Sequence, residues 1–272
     1  MTAAEQTTPV HGVPCWVSLM TRDLRATEDF YAAVLGWTFR SGTLGEGFSV
    51  AHAGTLPVAG FGQIAPGLPT SVTWTPYFAV TDADVVAARV RERGGTVAVG
   101  PIRLGPGRGA VAADREGAGF GFWEGRAPSW SLGRGNALAS LELRTSHAFD
   151  SAIFYAGIFD WASGEPGGCE VGYAYAQDAV VVRQGGRTVA TLRGGGDAAS
   201  RDPRLRPRWH VRFLVDDVAT VAEAARGAGG TVSPPVDSPS PADGTESVIS
   251  DHGGGIFTVC SHPVPGVPGP AG

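Results

Sequence analysis

The side chains of this chain that could do chemistry sit in strand-like runs rather than in a recognisable catalytic signature. In "RWHVRFLVDDV", Arg208–Val218, a histidine stands at the start of a strand that runs into a helix start. His210 can be read as a metal ligand, a general acid or base, or a packed strand residue. Alternation through "ASLELRTS" puts Ser140, Glu142 and Arg144 on one strand face. Glu142 or His210 would move a proton, while Arg144 or Arg212 would hold an anionic or enolate oxygen. His11, His52, His147, His252 and His262 fall in loops or termini without ligand spacing. Cys15, Cys169 and Cys260 are far apart with no CxxC pair, so free thiols are expected. Every one of the 21 basic residues is arginine, which excludes Schiff-base catalysis and a P-loop lysine. "GPGRG" at Gly105–Gly109 lies between strand-like runs and reads as a turn, and no GxSxG elbow or HExxH helix occurs.

The elements that must position these residues occur twice. "FYAAVLGW" at Phe30–Trp37 returns as "FYAGIFDW" at Phe154–Trp161. "YFAVTDADVVAARVRERGGTV" from Tyr77 returns as "RFLVDDVATVAEAARGAGGTV" from Arg212, and "DREGAGFGFWE" from Asp114 as "DHGGGIFTVCS" from Asp251. Three landmarks in one order mean two tandem copies. Within a copy, "CWVSLMTRD" alternates as a strand and Asp23 can cap the helix after it, whose apolar face holds Phe30, Tyr31, Val34 and Leu35. Short strands follow. The scheme then restarts at "PYFAV", with a helix from about Asp82 to Arg93 that stops at Gly94-Gly95. Each copy therefore reads β-α-β-β-β twice.

These landmarks resemble the vicinal oxygen chelate superfamily of glyoxalases, bleomycin-resistance proteins and extradiol dioxygenases. More narrowly, they are similar to its two-domain actinobacterial members, which carry glyoxalase-like or hydroxylase labels. The resemblance implies an α+β fold of four βαβββ modules forming two domains, each a curved mixed sheet around a cleft. The expected division is a disordered N-terminus at 1–10, domain 1 at 11–126, a linker at 127–136, domain 2 at 137–262 and a disordered tail at 263–272. Arg193–Arg208 reads as a long mobile loop. Metal-bearing relatives place ligands on the first strand of each module and on last strands. Those positions are Trp16, Thr75 and Gly121 in copy one, and Ser140, His210 and Thr258 in copy two. Glu142 is the one nearby carboxylate that could substitute, so no metal is expected, a divalent metal being the alternative.

With the cleft implied by the resemblance, alternation makes Trp16, Ser18, Met20, Thr75, Tyr77, Gly119, Gly121 and Trp123 its face in copy one. That wall is aromatic and uncharged and suits a flat apolar molecule held by stacking. Copy two offers Ser140, Glu142, Arg144, His210, Arg212, Thr258 and Cys260, with Cys260 read as a small hydrophobe.

A chain of 272 residues with 43% hydrophobic and 17% charged residues can bury a sizeable core, and a net charge of -5 gives no basic footprint for nucleic acid. No apolar run is long enough to span a membrane, and "MTAAEQTTPVHG" lacks the layout of a signal peptide, so the cytoplasm is the expected location. The leading expectation is a small-molecule-binding protein for an aromatic metabolite in secondary metabolism or resistance, as monomer or homodimer. The competing reading is a metal-independent isomerase, lyase or hydroxylase-type enzyme working in the polar cleft of copy two. A metal-dependent glyoxalase or dioxygenase ranks third.

Overall fold

The computed structural model describes residues 6–7, 10–42, 44–45, 47–67, 71–128, 138–175, 178–197, 200, 206–238 and 244–261. Most of the expected N-terminal, linker and tail stretches (1–10, 127–136 and 263–272) lies outside these residues, as do His262 and the middle of the loop between Arg193 and Arg208. Within the first two stretches, β1 (Gln6–Thr7) pairs antiparallel with Ala127–Pro128.

The first module runs β2 (Pro14–Thr21), α1 (Leu24–Leu35), β3 (Thr38–Ser41), β4 (Phe48–Ala53) and β5 (Leu56–Gln63). The second is β6 (Thr73–Val80), α2 (Ala83–Glu92), β7 (Thr96–Leu104), β8 (Gly107–Ala113) and β9 (Gly119–Glu124). After β10 (Ala127–Pro128), the third comprises β11 (Leu138–Arg144), α3 (Ala148–Phe159), β12 (Glu170–Ala174), β13 (Ala179–Gln184) and β14 (Arg187–Arg193). The fourth is β15 (Arg208–Val215), α4 (Val218–Gly227), β16 (Thr231–Val232), β17 (Val236–Asp237), β18 (Thr245–Ser250) and β19 (Ile256–Ser261). Four βαβββ modules are thus present, the last carrying the extra two-residue strand β17 on β18.

Strand order in the first large sheet is β3-β4-β5-β2-β6-β9-β8-β7, and in the second β12-β13-β14-β11-β15-β19-β18-β16. Every module closes the same way. Its first strand lies parallel to its last, as in Ser18↔Gly60, Tyr77↔Gly121, Glu142↔Thr191 and Arg212↔Thr258, and the remaining pairs are antiparallel.

The chain divides into two compact units, each drawing on both copies. One combines Met1–Val17, Thr75–Trp130 and Ser140–His210; the other combines Ser18–Trp74, Ser131–Ala139 and Val211–Gly272. In the first unit α2 packs on α3, and in the second α1 packs on α4. Each unit is centred on the same buried hydrogen-bond chain. In the first, Trp209 Nε1 donates to Tyr155 Oη (2.9 Å), which donates to Asp114 Oδ2 (3.0 Å). Asp114 Oδ1 accepts from the Glu116 and Ala118 amides. In the second, Trp74 Nε1 donates to Tyr31 Oη (3.1 Å) and Tyr31 to Asp251 Oδ2 (3.1 Å), with the Gly253 and Gly255 amides on Oδ1. Aromatic rings enclose both tyrosines: Phe120, Phe154, Trp161 and Trp209 around Tyr155, and Phe30, Trp37, Phe61, Trp74 and Phe257 around Tyr31.

Helix starts are set by short acids. Asp23, Asp82 and Asp217 accept from first-turn amides of α1, α2 and α4. At α3 the N-cap is His147, whose side chain makes no capping bond. Glu116 instead fastens the segment just before the cap, its Oε2 accepting from the Ser146 amide (2.8 Å) and the Thr145 hydroxyl (2.7 Å). No helix among the described residues is long and apolar enough to cross a membrane.

Three outcomes follow from these contacts. Glu116→Ala is expected to destabilise the protein by about 1 kcal/mol for each of the two hydrogen bonds it loses to Thr145 and Ser146. Separately, His147→Asp should stabilise it by about 1 kcal/mol in urea melts, since α3 would then carry a side-chain cap. The third concerns pH. Burial pushes the Asp114 and Asp251 carboxyls above their ordinary value of 3.8, against the hydrogen bonds that favour the anion. The folded state therefore holds these protons more tightly than the unfolded chain. Their contribution is complete below 3.8 and is lost as pH rises through the folded values. Asp251→Asn should accordingly show a stability deficit that shrinks as pH is raised from below 3.8 in denaturant titrations.

Candidate functional site

In the first unit, β6, β9 and β8 form an uncharged face. Pro76 and Phe78 are buried, leaving Thr75 and Tyr77 on the other side of β6. Phe120 and Phe122 do the same on β9 and leave Gly119, Gly121 and Trp123. Trp16, Tyr77 and Trp123 are half-buried and pack on Cys15, Ala79 and Ala127, where burial pushes the Cys15 thiol up to about 12. Glycines make the room. A Cβ on Gly121 would meet Tyr77 Cδ1 and Cε1 at 2.3 Å, so the Tyr77 ring covers that residue. A Cβ on Gly107 would meet Trp123 Cζ2 at 2.5 Å, and one on Gly109 would meet Trp123 Cε3 at 3.2 Å. Trp123 is held in this pose by its Nε1 donating to the Arg126 carbonyl at 3.1 Å. Ser18 and Met20 of the same expected set belong to the second unit. Ser18 is buried, and Met20 Sδ lies over Gly62, 2.7 Å from where a Cβ would stand.

The polar residues of copy two also divide between the units. In the first, Ser140, Glu142 and Arg144 alternate with the buried Leu141 and Leu143, and His210 is buried beside Trp209 on β15. Glu142 accepts from Arg193 Nε at 3.2 Å in a pair that is largely buried on both sides. In the second unit, Arg212 is 4% exposed, and its Nη2 meets Glu246 Oε2 at 2.7 Å and Ser238 Oγ at 3.0 Å. Ser238 also donates to Glu246, at 2.9 Å. Thr258 stands opposite Arg212, and the Cys260 thiol is buried and donates to the Phe213 carbonyl.

Sequence reasoning missed Arg193 and Glu246. Arg193 falls at the start of the expected mobile loop, but it ends β14, where parallel pairing sets it opposite Arg144. Glu246 lies on β18, opposite Cys260. Neither partner shows in local periodicity; the signal would have been the ladder register.

The donor set does not fit a transition metal. Trp16, Thr75 and Gly121 offer no imidazole, carboxylate or thiolate, and His210 has serine and threonine as its counterparts. Among the described residues, no three His, Cys, Asp or Glu side chains are grouped to hold an ion.

Residues 15–122 match the Glyoxalase/Bleomycin resistance protein/Dioxygenase superfamily model, and residues 140–260 match a Glyoxalase-like domain. A Mycobacterium tuberculosis protein named "Putative glyoxylase CFP32" is 31% identical over 257 residues, covering 91% of this chain and 94% of that protein. The chain belongs to this superfamily. A second superfamily relative, "Anthracycline biosynthesis protein DauV" of Streptomyces sp. strain C5, is 30% identical over 271 residues, covering 91% of this chain and 93% of that protein. The fold is shared with the Mn(II)-bound glyoxalase from Novosphingobium aromaticivorans, at TM-score 0.62, 17% identity, and coverage of 92% of this chain and 82% of that one. It is also shared with a catechol 2,3-dioxygenase, at TM-score 0.57, 13% identity, and coverage of 94% and 90%.

Because the Arg212–Glu246 pair is out of water, removing one partner strands the other. Arg212→Ala should cost about 3–5 kcal/mol, whereas Arg212→Met with Glu246→Met should recover most of it. Guanidinium denaturation of both variants measures the difference.

Proposed function

We propose that this superfamily member binds a flat aromatic metabolite on the face carrying Trp16, Tyr77 and Trp123, without a catalytic transition metal. The observation that carries the reading is the face itself. Three half-buried aromatic rings and a row of glycines make up this face, and its positions on the family's ligand register are Trp16, Thr75 and Gly121, none of them a charged or imidazole donor. Ring faces attract planar aromatic ligands by offset stacking, each contact contributing about 0.5–1.5 kcal/mol beyond area burial. The name of the Streptomyces relative, an anthracycline biosynthesis protein, and the bleomycin-resistance members of the superfamily support a setting in secondary metabolism or resistance. The cytoplasm remains the proposed location, and a small molecule the proposed partner.

The second reading, a metal-independent enzyme, draws on copy two. Glu142 and His210 are both buried in one unit, a costly placement for groups without a task. In that reading Glu142 or His210 moves a proton, and Arg144 steadies an anionic oxygen alongside Ser140. Arg212 and Thr258, also expected at the ligand, lie in the second unit, where Arg212 is committed to Glu246 and Ser238.

Calorimetric titration with planar aromatic compounds tests the first reading. Trp123→Ala and Trp16→Ala should each weaken binding by up to about tenfold. Metal analysis after dialysis should find no stoichiometric manganese, iron, zinc or nickel. Retained metal together with chelator-sensitive turnover would reject the reading. A panel hit whose turnover falls in Glu142→Ala and His210→Ala would favour the enzyme.

A further inference from the structure

Resting on that reading, we infer that the aromatic face selects ligands by length, favouring three or four fused rings over a single ring. Two supports for a ligand are set out along the sheet, and glycine fixes the place of each. The Tyr77 side chain springs from β6 and leans sideways onto β9, where its ring covers Gly121. The Trp123 side chain springs from β9 and leans the same way onto β8. Opposite edges of its six-membered ring stand over two different residues, Cζ2 over Gly107 and Cε3 over Gly109. The indole therefore lies along β8 rather than standing up from it, and its Nε1 bond to the Arg126 carbonyl holds it there.

The ladder register gives the separation of the two supports. Gly121 pairs with Val111 on β8, and the indole sits over the residues two and four places further along that strand. At about 3.3 Å per residue and about 4.8 Å between strands, the indole lies about 10 Å along and one strand across from the Tyr77 ring. The rings form a stepped platform about 11 Å long, too far apart for one six-membered ring to touch both. A rigid flat body of three or four fused rings reaches both; a monocycle engages one. Alanine at 121 would push the Tyr77 ring off the backbone; at 107 a Cβ would meet both the indole and the Glu124 carbonyl at 2.5 Å, and at 109 the indole would have to give by only a few tenths of an ångström.

The test is calorimetric titration of the full chain with benzenesulfonate, naphthalene-2-sulfonate and anthracene-2-sulfonate, which share one charge and differ in ring count. Affinity should rise with ring count in the native protein. Tyr77→Ala should weaken anthracene-2-sulfonate about tenfold while leaving benzenesulfonate within about twofold. Gly121→Ala, which displaces the same ring by a different route, should reproduce that pattern, with thermal melts reporting folding of both variants. If Tyr77→Ala and Gly121→Ala weaken all three probes by the same factor, or leave anthracene-2-sulfonate unchanged, the length inference is wrong and aromatic binding stands. If no probe binds, or Trp123→Ala changes none of the affinities, the aromatic-binding reading fails and the inference with it.

Discussion

A buried carboxylate is costly unless something answers its charge, and in this protein the answer holds each compact unit together. Asp251 sits on the turn between β18 and β19, and the tyrosine that donates to it lies on α1, at the other end of the chain. Asp114 on the turn between β8 and β9 is met by Tyr155 of α3. In each case the tyrosine also receives an indole N–H from the first strand of another module, so one hydroxyl ties together a helix, a turn and a strand. Aromatic packing supplies most of the area buried around these chains, but it is non-directional. The hydrogen bonds set which ring stands where.

The two sheets have diverged on their non-core faces. In copy one the face is neutral, with tryptophan, threonine and glycine where a chelating site would need donors. In copy two it is ionic, but Glu142 and Arg212 each carry a counter-charge supplied by a neighbouring strand. One ancestral geometry has therefore been filled with stacking surface in one half and with compensated charge in the other.

Much of this was legible from residue order. The repeated "FY", "DREG" and "DHGG" landmarks marked the modules correctly, and alternation assigned Trp16, Tyr77 and Trp123 to one side of their strands. What those landmarks do was not legible. Tyr31 and Asp251 are 220 positions apart, and no local pattern links them. The same holds for Arg193 against Glu142 and Glu246 against Arg212, whose encounters depend on strand register. Asp23 could be read as a cap because capping is local; the hold of Glu116 on Thr145 and Ser146 could not, because it joins two modules. Periodicity reveals which face a side chain takes, while pairing across modules decides what it meets there.

The way the modules are shared between units bears on the order in which the protein can be assembled. The first unit is nearly continuous in the chain, since Thr75–Trp130 is followed closely by Ser140–His210. The second needs Ser18–Trp74 and Val211–Gly272 together. During synthesis, the strands of the first module emerge early and must wait for the final stretch before Tyr31 finds Asp251. Long-range closure of this kind is slow and leaves apolar strand edges open in the interval. The first unit needs nothing beyond His210, so the second is the late-closing half.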